Sequence, residues 1–555
     1  MKRVEAAAGR LEEKGAPWLM GVVLAAAGVM YLVLTWHFTF FQDTWEFLIN
    51  RRAFTVDSFL QPHNEHLVVF PVAIQQLFLH LFGMTSARPE YVLFAVLLLV
   101  TDFLVFVYVR RRLGQWPALF AAVLILGLGP AWELLLWPFE ITLLGSALFG
   151  LAMLLALERD DRRGDVVASA CLLLSFGFSS LGVPFAVAAV VAVLVSPRER
   201  RRERGLAITI PILLYVAWYI GWGHNAETHL TARNVLASPR FVVETIAFGV
   251  GNLFGLGTSP TTGATEDAWG FVLLVLIVAL LIAYKRRRPG IPTAFWPVAT
   301  AAFVNWFLTA FNQIPGRDPA SSRYQYATCV LLLLMASNLL QGIRIGRRTI
   351  LIGCAVTALA VGPNLVVLKD GHDFFAEQTV FTRSDTAAIE IARRTVSPQF
   401  ELGPEISGTG SLINIFAGPY LEAVDEYGSP AYTQAELASA PAEGRRAADV
   451  VLSQALPLST VIRPETYDSG AVPENCVAVT GPEQEVRLDP GQTRIEVAPG
   501  PEAHVSLRRF ASGEFPVQLA AVPGEATMTL SVPRDESPLP WYLHAEAEQA
   551  VRVCR

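Results

Sequence analysis

Residues 17–36 read PWLMGVVLAAAGVMYLVLTW, an uncharged apolar run of the length that an α-helix needs to cross a bilayer. Similar runs recur along the chain from Trp18 to Leu368. The chain is 53% hydrophobic and has a mean hydropathy of +0.42, which exceeds what the core of a soluble protein requires. The sequence therefore predicts a polytopic α-helical membrane protein.

Clusters of Lys and Arg between the apolar runs indicate which loops face the cytoplasm, because short cytoplasmic loops collect basic residues. The clusters are Arg110–Arg112, Arg198–Arg204, Lys285–Arg288 and Arg344 with Arg347 and Arg348. Placing them inside the cell predicts about eleven spans in the plasma membrane, with the N-terminus cytoplasmic and residues 369–555 extracytoplasmic. The predicted spans are 17–36, 91–109, 116–131, 141–157, 166–180, 182–196, 205–222, 269–284, 292–311, 325–341 and 349–368.

Two further apolar stretches do not fit this alternation as simple crossings. Residues 67–82 are short for a span and are interrupted by Gln75, Gln76 and His80, so we predict an interfacial helix. Residues 241–257 are either a second interfacial helix or a crossing pair that would change the number of spans.

Residues 369–555 are rich in Glu, Pro, Gly and Ser and predict a soluble domain of mixed α/β structure followed by a β-sandwich. Helical patterns cover Ser384–Thr395, with Ser384 as the cap, and Thr433–Leu456, with an interruption at Pro441. Strands are predicted at 485–488, 494–497 and 504–507, where apolar and polar residues alternate between Pro-Gly turns. The domain could bind glycans through Trp541, Tyr542 or Tyr467, although core packing is the alternative for each ring.

Charge, cysteines and metal-ligand spacing give three further expectations. The net charge is only -6, and no nucleic-acid partner is implied. Cys476 and Cys554 fall in the predicted outer domain, where a disulfide between them is permitted. No metal-ligand spacing is visible, so no cofactor is predicted with certainty and a divalent cation stays open.

The predicted topology gathers unusual polar residues at the outer face. The loop after the first span carries Asp43, Glu46 and the turn His63-Asn64-Glu65-His66, and charged groups at a membrane rim are costly unless they have a function. Later outer loops add Glu133, Glu140, Arg317, Arg323 and Tyr324. Acids, imidazoles and arginines can thus meet at one outward face.

Such a set suits glycosyl transfer from a polyprenyl-phosphate sugar. The acceptor hydroxyl needs a carboxylate to take its proton, and we predict Asp43 and Glu46 as the catalytic carboxylates. The leaving lipid phosphate gains negative charge that an arginine fork stabilises, and Arg323 is the predicted clamp. The remaining outer-face residues are predicted substrate contacts. No nucleophile motif, P-loop or nucleotide fingerprint appears, which argues against a cytoplasmic nucleotide sugar.

Three features resemble the GT-C superfamily of integral membrane glycosyltransferases. They are Asp43 shortly after the first span, the turn Pro62-His-Asn-Glu-His66 within a long first outer loop, and Ser321-Ser-Arg-Tyr-Gln-Tyr326 at the mouth of a late span. The resemblance covers roughly residues 15–368 as architecture. It implies a polyprenyl-phosphate-linked donor and an inverting transfer of a hexose or pentose, here to an envelope glycan, glycolipid or protein. Many members carry adjacent acids, whereas Thr44 and Trp45 separate Asp43 from Glu46 here.

Each candidate residue also has a structural alternative. Asp43 can be the N-cap of a helix with Glu46 completing a capping box. His63 and His66 can be polar turn residues, and Arg323 and Tyr324 interfacial anchors. Glu133 and Glu140 are predicted at the outer rim beside tryptophans of the interfacial belt.

Three other functions compete with the transferase. A lipid-linked glycan polymerase or ligase would differ in acceptor and in using a pyrophosphate-linked donor. A flippase would need internal sequence symmetry and charged residues deep within spans, and no convincing repeat is visible. A non-catalytic glycan-binding protein would depend on the outer domain rather than on Asp43.

Overall fold

The computed structural model describes residues 2–257, 268–343, 345–468, 470, 472–479 and 484–555. The chain divides into two compact units. The first, called the helical unit here, comprises Met1–His37, Ala53–Gln75 and Arg88–Phe375. The second, called the mixed unit, comprises Phe38–Arg52, Gln76–Ala87 and Ala376–Arg555.

Helices dominate the chain as far as Ile391, as the apolar runs predict. In chain order the α-helices are α1 (Lys2–Thr35), α2 (Asp43–Trp45), α3 (Val56–Leu60), α4 (Val69–Phe82), α5 (Arg88–Leu113), α6 (Gln115–Leu126), α7 (Trp132–Leu136), α8 (Ile141–Leu157), α9 (Arg162–Phe178), α10 (Gly182–Val195), α11 (Arg198–Gly221), α12 (Ala232–Leu253), α13 (Ala268–Arg287), α14 (Phe295–Phe311), α15 (Ser322–Leu339), α16 (Arg347–Ile391), α17 (Pro404–Ser407), α18 (Ala417–Tyr427), α19 (Gln434–Ala438) and α20 (Ala442–Ala455).

Every predicted span overlaps one of these helices, namely α1, α5, α6, α8, α9, α10, α11, α13, α14, α15 and α16. Among the described residues, six helices are long and apolar enough to cross a membrane, or up to seven if the bent pair α6 and α7 is counted as one span. The helical class is therefore confirmed. The number of crossings remains a prediction.

The two ambiguous apolar stretches each form a single helix. Residues 67–82 contain the predicted helix, α4 (Val69–Phe82), and its interfacial position stays a prediction. Residues 241–257 lie largely in α12 (Ala232–Leu253), so the alternative of a crossing pair was wrong. The sequence pattern was ambiguous because Gly249, Gly251 and Gly255 suggest a break in the helix. In the structure, Gly249 and Gly251 are helical and buried. Gly255 alone of the three lies just past the end of α12, with φ +77°.

Two antiparallel sheets form most of the last 100 residues or so, as the alternating pattern predicts. The strands in chain order are β1 (Glu401–Leu402), β2 (Ile415–Phe416), β3 (Ser459–Pro464), β4 (Cys476–Val479), β5 (Val486–Leu488), β6 (Gly491–Val497), β7 (Ala503–Arg508), β8 (Val517–Val522), β9 (Ala526–Val532), β10 (Trp541–Glu546) and β11 (Val551–Cys554). One sheet has the order β3-β9-β6-β11-β4 and the other β5-β10-β7-β8. Ile495 and Met528 in the first sheet and Leu507 and Leu543 in the second are fully buried.

The predicted helix at Ser384–Thr395 was wrong in its start. Ser384 lies inside α16, which is continuous from Arg347 to Ile391, and its side chain is buried rather than capping a helix end. The predicted domain boundary after residue 368 also lies inside this helix. A serine favours a helix N-cap on the basis of the local sequence alone. Here the burial of Ala387, Ala388 and Ile389 keeps the segment within one continuous helix. The second predicted helical stretch is confirmed as α19 and α20, with a capping box at Thr433.

A disulfide joins Cys476 to Cys554 within the mixed unit. The two residues lie directly opposite each other on the antiparallel strands β4 and β11. The bridge closes a sequence separation of 78 residues. A disulfide across such a long loop restricts the unfolded chain strongly and stabilises the folded sheet.

Replacing both cysteines by serine is expected to lower the free energy of unfolding of the mixed unit by about 2–4 kcal/mol, because the loop-closure constraint on the unfolded chain is lost. Thermal unfolding of the purified protein, followed by the circular dichroism of its sheets, measures the change. Cys354→Ser is the matched control, since Cys354 is an exposed free thiol. An unchanged melting temperature in the double variant would contradict the stabilising role of the bridge.

Candidate functional site

A cavity of about 220 Å³ lies within the helical unit. Helices α8, α10, α11, α14 and α15 contribute to its walls, together with the turn at residues 63–66 and the segment before α15. Its apolar lining includes Leu143, Leu181, Val183, Pro184 and Leu308, and its charged lining includes Glu65, Arg317 and Arg323. The cavity is therefore amphipathic and opens among helices that are themselves apolar.

The turn at residues 63–66 is a tight hairpin. The N–H of His63 donates to the carbonyl of His66 at 3.0 Å, and the N–H of His66 donates back at 2.9 Å. Asn64 adopts φ +51°, a left-handed conformation that asparagine tolerates better than most residues. Ser180 donates to the carbonyl of Glu65 at 2.8 Å and anchors the turn. The turn brings Glu65 and His66 to the cavity, whereas His63 packs against Phe139 with ring centroids 5.3 Å apart and Asn64 is exposed.

Glu65 forms a two-point ion pair with Arg317. Nη1 and Nη2 of Arg317 donate to the two carboxylate oxygens of Glu65 at 2.5 and 3.3 Å. Burial alone would raise the pKa of Glu65, but the neighbouring His66 and Arg317 hold that pKa below its ordinary value. Both terminal nitrogens of Arg317 are used in this pair, so the residue mainly fixes the turn.

His66 is held neutral beside this pair. Burial lowers the pKa of His66 from 6.5 to about 4, and the nearby Glu65 only partly offsets the effect. Its Nδ1 is buried and has no hydrogen-bond partner among the described residues. A neutral imidazole at neutral pH leaves the charge of the cavity to the carboxylates and arginines.

The folded-state pKa of His66 lies below its unfolded value, so the unfolded chain takes up the proton first as the pH falls. Stability is therefore lost between pH 6.5 and about 4. We expect a loss of about 2 kcal/mol between pH 7 and pH 5 from this residue. The melting temperature of the protein in detergent, measured across this range, should vary less with pH in His66→Gln than in the wild type. The same pH dependence in both proteins would contradict the assignment.

Arg323 stands at the start of α15 and is oriented by two acids. Its Nε lies 3.3 Å from Oε2 of Glu133 and 3.9 Å from Oε1 of Glu140. Glu133 also accepts the backbone N–H of Arg323 at 3.2 Å, while the Ser322 hydroxyl accepts the N–H of Glu133 at 3.0 Å. The two terminal nitrogens of Arg323 make no hydrogen bond to the described residues, and the side chain lines the cavity.

Glu133 and Glu140 themselves are not among the residues that line the cavity, so their contact is with Arg323 rather than with the cavity space. The predicted belt of tryptophans beside them was wrong. Trp132 is 8% and Trp137 1% exposed, so both belong to the interior of the helical unit. Trp137 stacks on Phe139 and lies under the Arg323 guanidinium, which accounts for its burial.

Two more polar groups with unused hydrogen-bonding capacity face the cavity. The Tyr324 hydroxyl makes no hydrogen bond to the described residues. Asn305 on α14 is only 6% exposed, yet its carboxamide makes no hydrogen bond within the described part of the chain. Asn305 was not among the site residues predicted from the sequence. A lone carboxamide inside the apolar run 295–311 was the available signal, because polar groups within spans tend to be functional.

The predicted catalytic carboxylates belong to the mixed unit. Asp43 begins α2, which continues into a π-helical turn at Glu46–Asn50, a conformation frequent at functional sites. The N-cap is Gln42, so the alternative with Asp43 as the N-cap of a capping box was wrong. Glu46 accepts a hydrogen bond from the Asn50 amide at 2.5 Å and lies 3.8 Å from Arg51. These contacts commit Glu46 to local structure more than to proton transfer.

Over the described residues, no group of three or more His, Cys, Asp or Glu side chains could hold a metal ion.

No family model matches the sequence, and no curated protein matches it. Two solved structures resemble the fold, both of ArnT from Cupriavidus metallidurans. The one bound to undecaprenyl phosphate has a TM-score of 0.44 and 14% identity, covering 80% of this chain and 93% of that chain. The apo structure has a TM-score of 0.38 and 15% identity, covering 74% of this chain and 85% of that chain. TM-scores and sequence identities this low do not establish a family for this chain. Its function has to be inferred from the cavity.

Proposed function

We propose that the protein is a membrane glycosyltransferase that moves a sugar from a polyprenyl-phosphate-linked donor to a cell-envelope acceptor. One observation carries the proposal. The cavity among apolar helices presents Arg323, Tyr324 and Asn305 with unused hydrogen-bonding groups beside an apolar wall. An amphipathic ligand with a polar, hydrogen-bond-accepting head suits such a cavity.

The head group that best fits Arg323 is a phosphate. Its Nε edge is held by Glu133 and Glu140, so its two terminal nitrogens can donate to a second anion without losing their orientation. Hydrogen bonds from a guanidinium to phosphate oxygens are charge-assisted and favour a planar two-point contact. The Tyr324 hydroxyl and the Asn305 amide add neutral donors, which suits a phosphate that carries a sugar on one side and a lipid on the other.

The lipid part of the ligand is supported by the apolar side of the cavity. A second, smaller cavity adjoins it and shares Leu181, Pro184, Asn305 and Ala327 with the first. Phe185, Val330 and Leu331 are among the further residues that line it. That second cavity has a volume of only about 20 Å³, so the lipid chain would pack on the apolar wall of the larger cavity, where burial stabilises it by about 25 cal/mol per Å² removed from water.

In the proposed reaction, the acceptor oxygen attacks the anomeric carbon and the bond from that carbon to the phosphate oxygen breaks. Asp43 takes the proton from the acceptor hydroxyl as a general base. The electron pair of the broken bond stays on the lipid phosphate, where Arg323 stabilises the added negative charge. A single displacement of this kind inverts the anomeric centre.

We place the reaction at the outer face of the membrane. The positions of the basic clusters support this side. The disulfide between Cys476 and Cys554 supports it independently, because such bridges persist in oxidising compartments. The identity of the sugar and of the acceptor lies outside the proposal.

The test is transfer of radiolabelled sugar from a panel of polyprenyl-phosphate sugars to envelope extracts by the full-length protein in lipid nanodiscs. Wild-type protein should transfer at least one sugar and release the polyprenyl phosphate. Absence of transfer with every donor, while the protein remains folded, would overturn the proposal.

Asn305→Leu gives a sharper prediction with the same assay. Leucine has a similar size and removes a buried amide that lacks a protein partner, so the melting temperature should stay the same or rise. Loss of the ligand contact should lower kcat/KM for the donor by about tenfold or more. Asn338→Leu is the contrasting variant, since the Asn338 amide donates to Tyr108 and Leu334 and its loss should lower the melting temperature. Equal activity of Asn305→Leu and wild type would contradict a role for Asn305 in binding.

A further inference from the structure

The mixed unit contains a polar cleft of about 550 Å³, within the range of about 300–1,000 Å³ typical of ligand pockets. The end of α16 forms one wall, the start of α19 another, and the segment between β9 and β10 a third. Nothing in the proposed transfer reaction uses it. We infer that this cleft is a binding site for a neutral oligosaccharide.

The walls of the cleft are joined to each other by hydrogen bonds. The backbone N–H of Glu536 donates to the carbonyl of Ile391 at 3.1 Å, which ties the segment before β10 to α16. The Gln434 amide donates to the carbonyl of Glu536 at 2.9 Å, which ties the same segment to α19. The cleft is therefore shaped before any ligand arrives, and a ligand that binds there does not have to order it.

Glu390 and Gln434 line the cleft, and each is held in place by hydrogen bonds to other protein groups. Oε1 of Glu390 accepts hydrogen bonds from the hydroxyls of Tyr420 at 2.7 Å and Ser429 at 2.5 Å, whereas Oε2 has no hydrogen-bond partner among the described residues. Gln434 also lines the cleft, but its Oε1 is covered from solvent and its amide nitrogen is bound to Glu536. Oε2 of Glu390 is therefore the oriented acceptor, as the hydroxyl groups of a sugar require.

Two arginines supply donors in the same way. Arg393 contacts Asp425 through Nη2 at 2.7 Å, and Arg394 contacts Glu536 through Nε. No other side-chain hydrogen bond of either arginine is seen among the described residues, so most of their N–H groups face solvent or the cleft. The cleft therefore offers both donors and acceptors in planar groups.

The charge of the cleft indicates what kind of polar ligand it takes. The lining acids Glu390 and Glu536 balance the lining bases Arg393 and Arg394, so neither an anion nor a cation is favoured by net charge. An apolar ligand would strip these groups of water without replacing their hydrogen bonds. A neutral, hydroxyl-rich ligand satisfies both conditions.

One aromatic ring completes the cleft. Tyr432 lines it, and the guanidinium of Arg383 lies 4.0 Å from the ring centroid. The C–H groups of a sugar pack well on an aromatic surface while its hydroxyls bond to planar polar groups nearby. Of the rings considered from sequence, Trp541 is 1% exposed, and neither Tyr542 nor Tyr467 lines the cleft. Tyr432 is the ring that lines the cleft together with Glu390.

The experiment measures binding to the full-length protein in nanodiscs by isothermal titration calorimetry, without any lipid-linked donor. The probes are neutral hexasaccharides of glucose, mannose and galactose, with an oligogalacturonate of the same length and inorganic phosphate as charged comparisons. We expect at least one neutral hexasaccharide to bind, and Glu390→Gln and Gln434→Ala each to weaken it by about tenfold. Glu474→Gln, a matched change at an exposed position, should leave binding unchanged.

Failure of every neutral hexasaccharide to bind would overturn the inference, as would tighter binding of the oligogalacturonate or of phosphate. Unchanged binding in both cleft variants would place the sugar elsewhere and overturn it too. The inference does not rest on the proposed transferase. Arg323→Lys, which keeps the charge beside Glu133 and Glu140, should bind the hexasaccharide as the wild type does, so loss of transfer and loss of glycan binding can be told apart.

Discussion

Replacing Arg323 by alanine is expected to lower kcat/KM for the lipid-linked donor by about 100- to 1,000-fold, the range observed when one donor that stabilises a developing oxyanion is removed. The reason is that the terminal nitrogens of Arg323 are the charged donors of the cavity that have no bond to the described residues, whereas those of Arg317 are taken by Glu65. Initial rates over a range of donor concentrations measure the change.

A control is needed because Arg323→Ala removes the cation that Glu133 and Glu140 share, and the side chain of Glu140 is 3% exposed. Loss of one partner of a buried ion pair is itself destabilising by about 3–5 kcal/mol. Arg323→Lys retains the charge while losing the two-point contact, so it should fold normally and still lose activity. Full activity of a folded Arg323→Lys would show that no fork-shaped contact to phosphate is needed.

Replacing Asp43 by asparagine is expected to lower kcat by about 100- to 10,000-fold, the contribution usual for a general base. The asparagine amide has nearly the same shape as the carboxylate but cannot take the proton from the hydroxyl of the acceptor substrate. Binding of the donor should change little, so the loss should appear in kcat rather than in KM. Transfer assays on both proteins at saturating donor measure it.

Glu46→Gln is the matched control for Asp43→Asn. Glu46 is held by Asn50 and Arg51, so its amide variant should retain most of the activity and lose some stability. The melting temperature of each variant separates loss of fold from loss of chemistry. If Glu46→Gln is inactive and Asp43→Asn active, the roles of the two carboxylates are reversed. If both variants are active, the general base is neither Asp43 nor Glu46.

The class of fold could be predicted from sequence because membrane helices and half-buried strands leave strong periodic patterns. Each predicted span overlaps a helix, and the strands near residues 486, 494 and 504 were found within a few residues. Those patterns reflect burial, which acts on whole segments. The predicted helix start at Ser384 was wrong because it rested on a single residue, whereas tertiary contacts determine where this helix begins.

The candidate site was only partly predictable. Glu65, His66, Arg317, Arg323 and Tyr324 were named from sequence, and all five line the cavity. The sequence could not tell that Glu133 and Glu140 contact Arg323 while Arg317 is bound to Glu65, because residues 65 and 317 are 252 positions apart. Asn305 was missed for a similar reason. Whether a polar group in a span has a partner depends on the neighbouring helices.

The strand β11 sets the order in which the mixed unit can fold. It is the last strand in chain order, yet it lies between β6 and β4 rather than at an edge of its sheet. Until residues 551–554 have left the ribosome, β6 and β4 have no strand between them, and Cys476 has no partner. The sheet must therefore be completed after synthesis of this region ends. The unfinished strand edges need protection from aggregation until then.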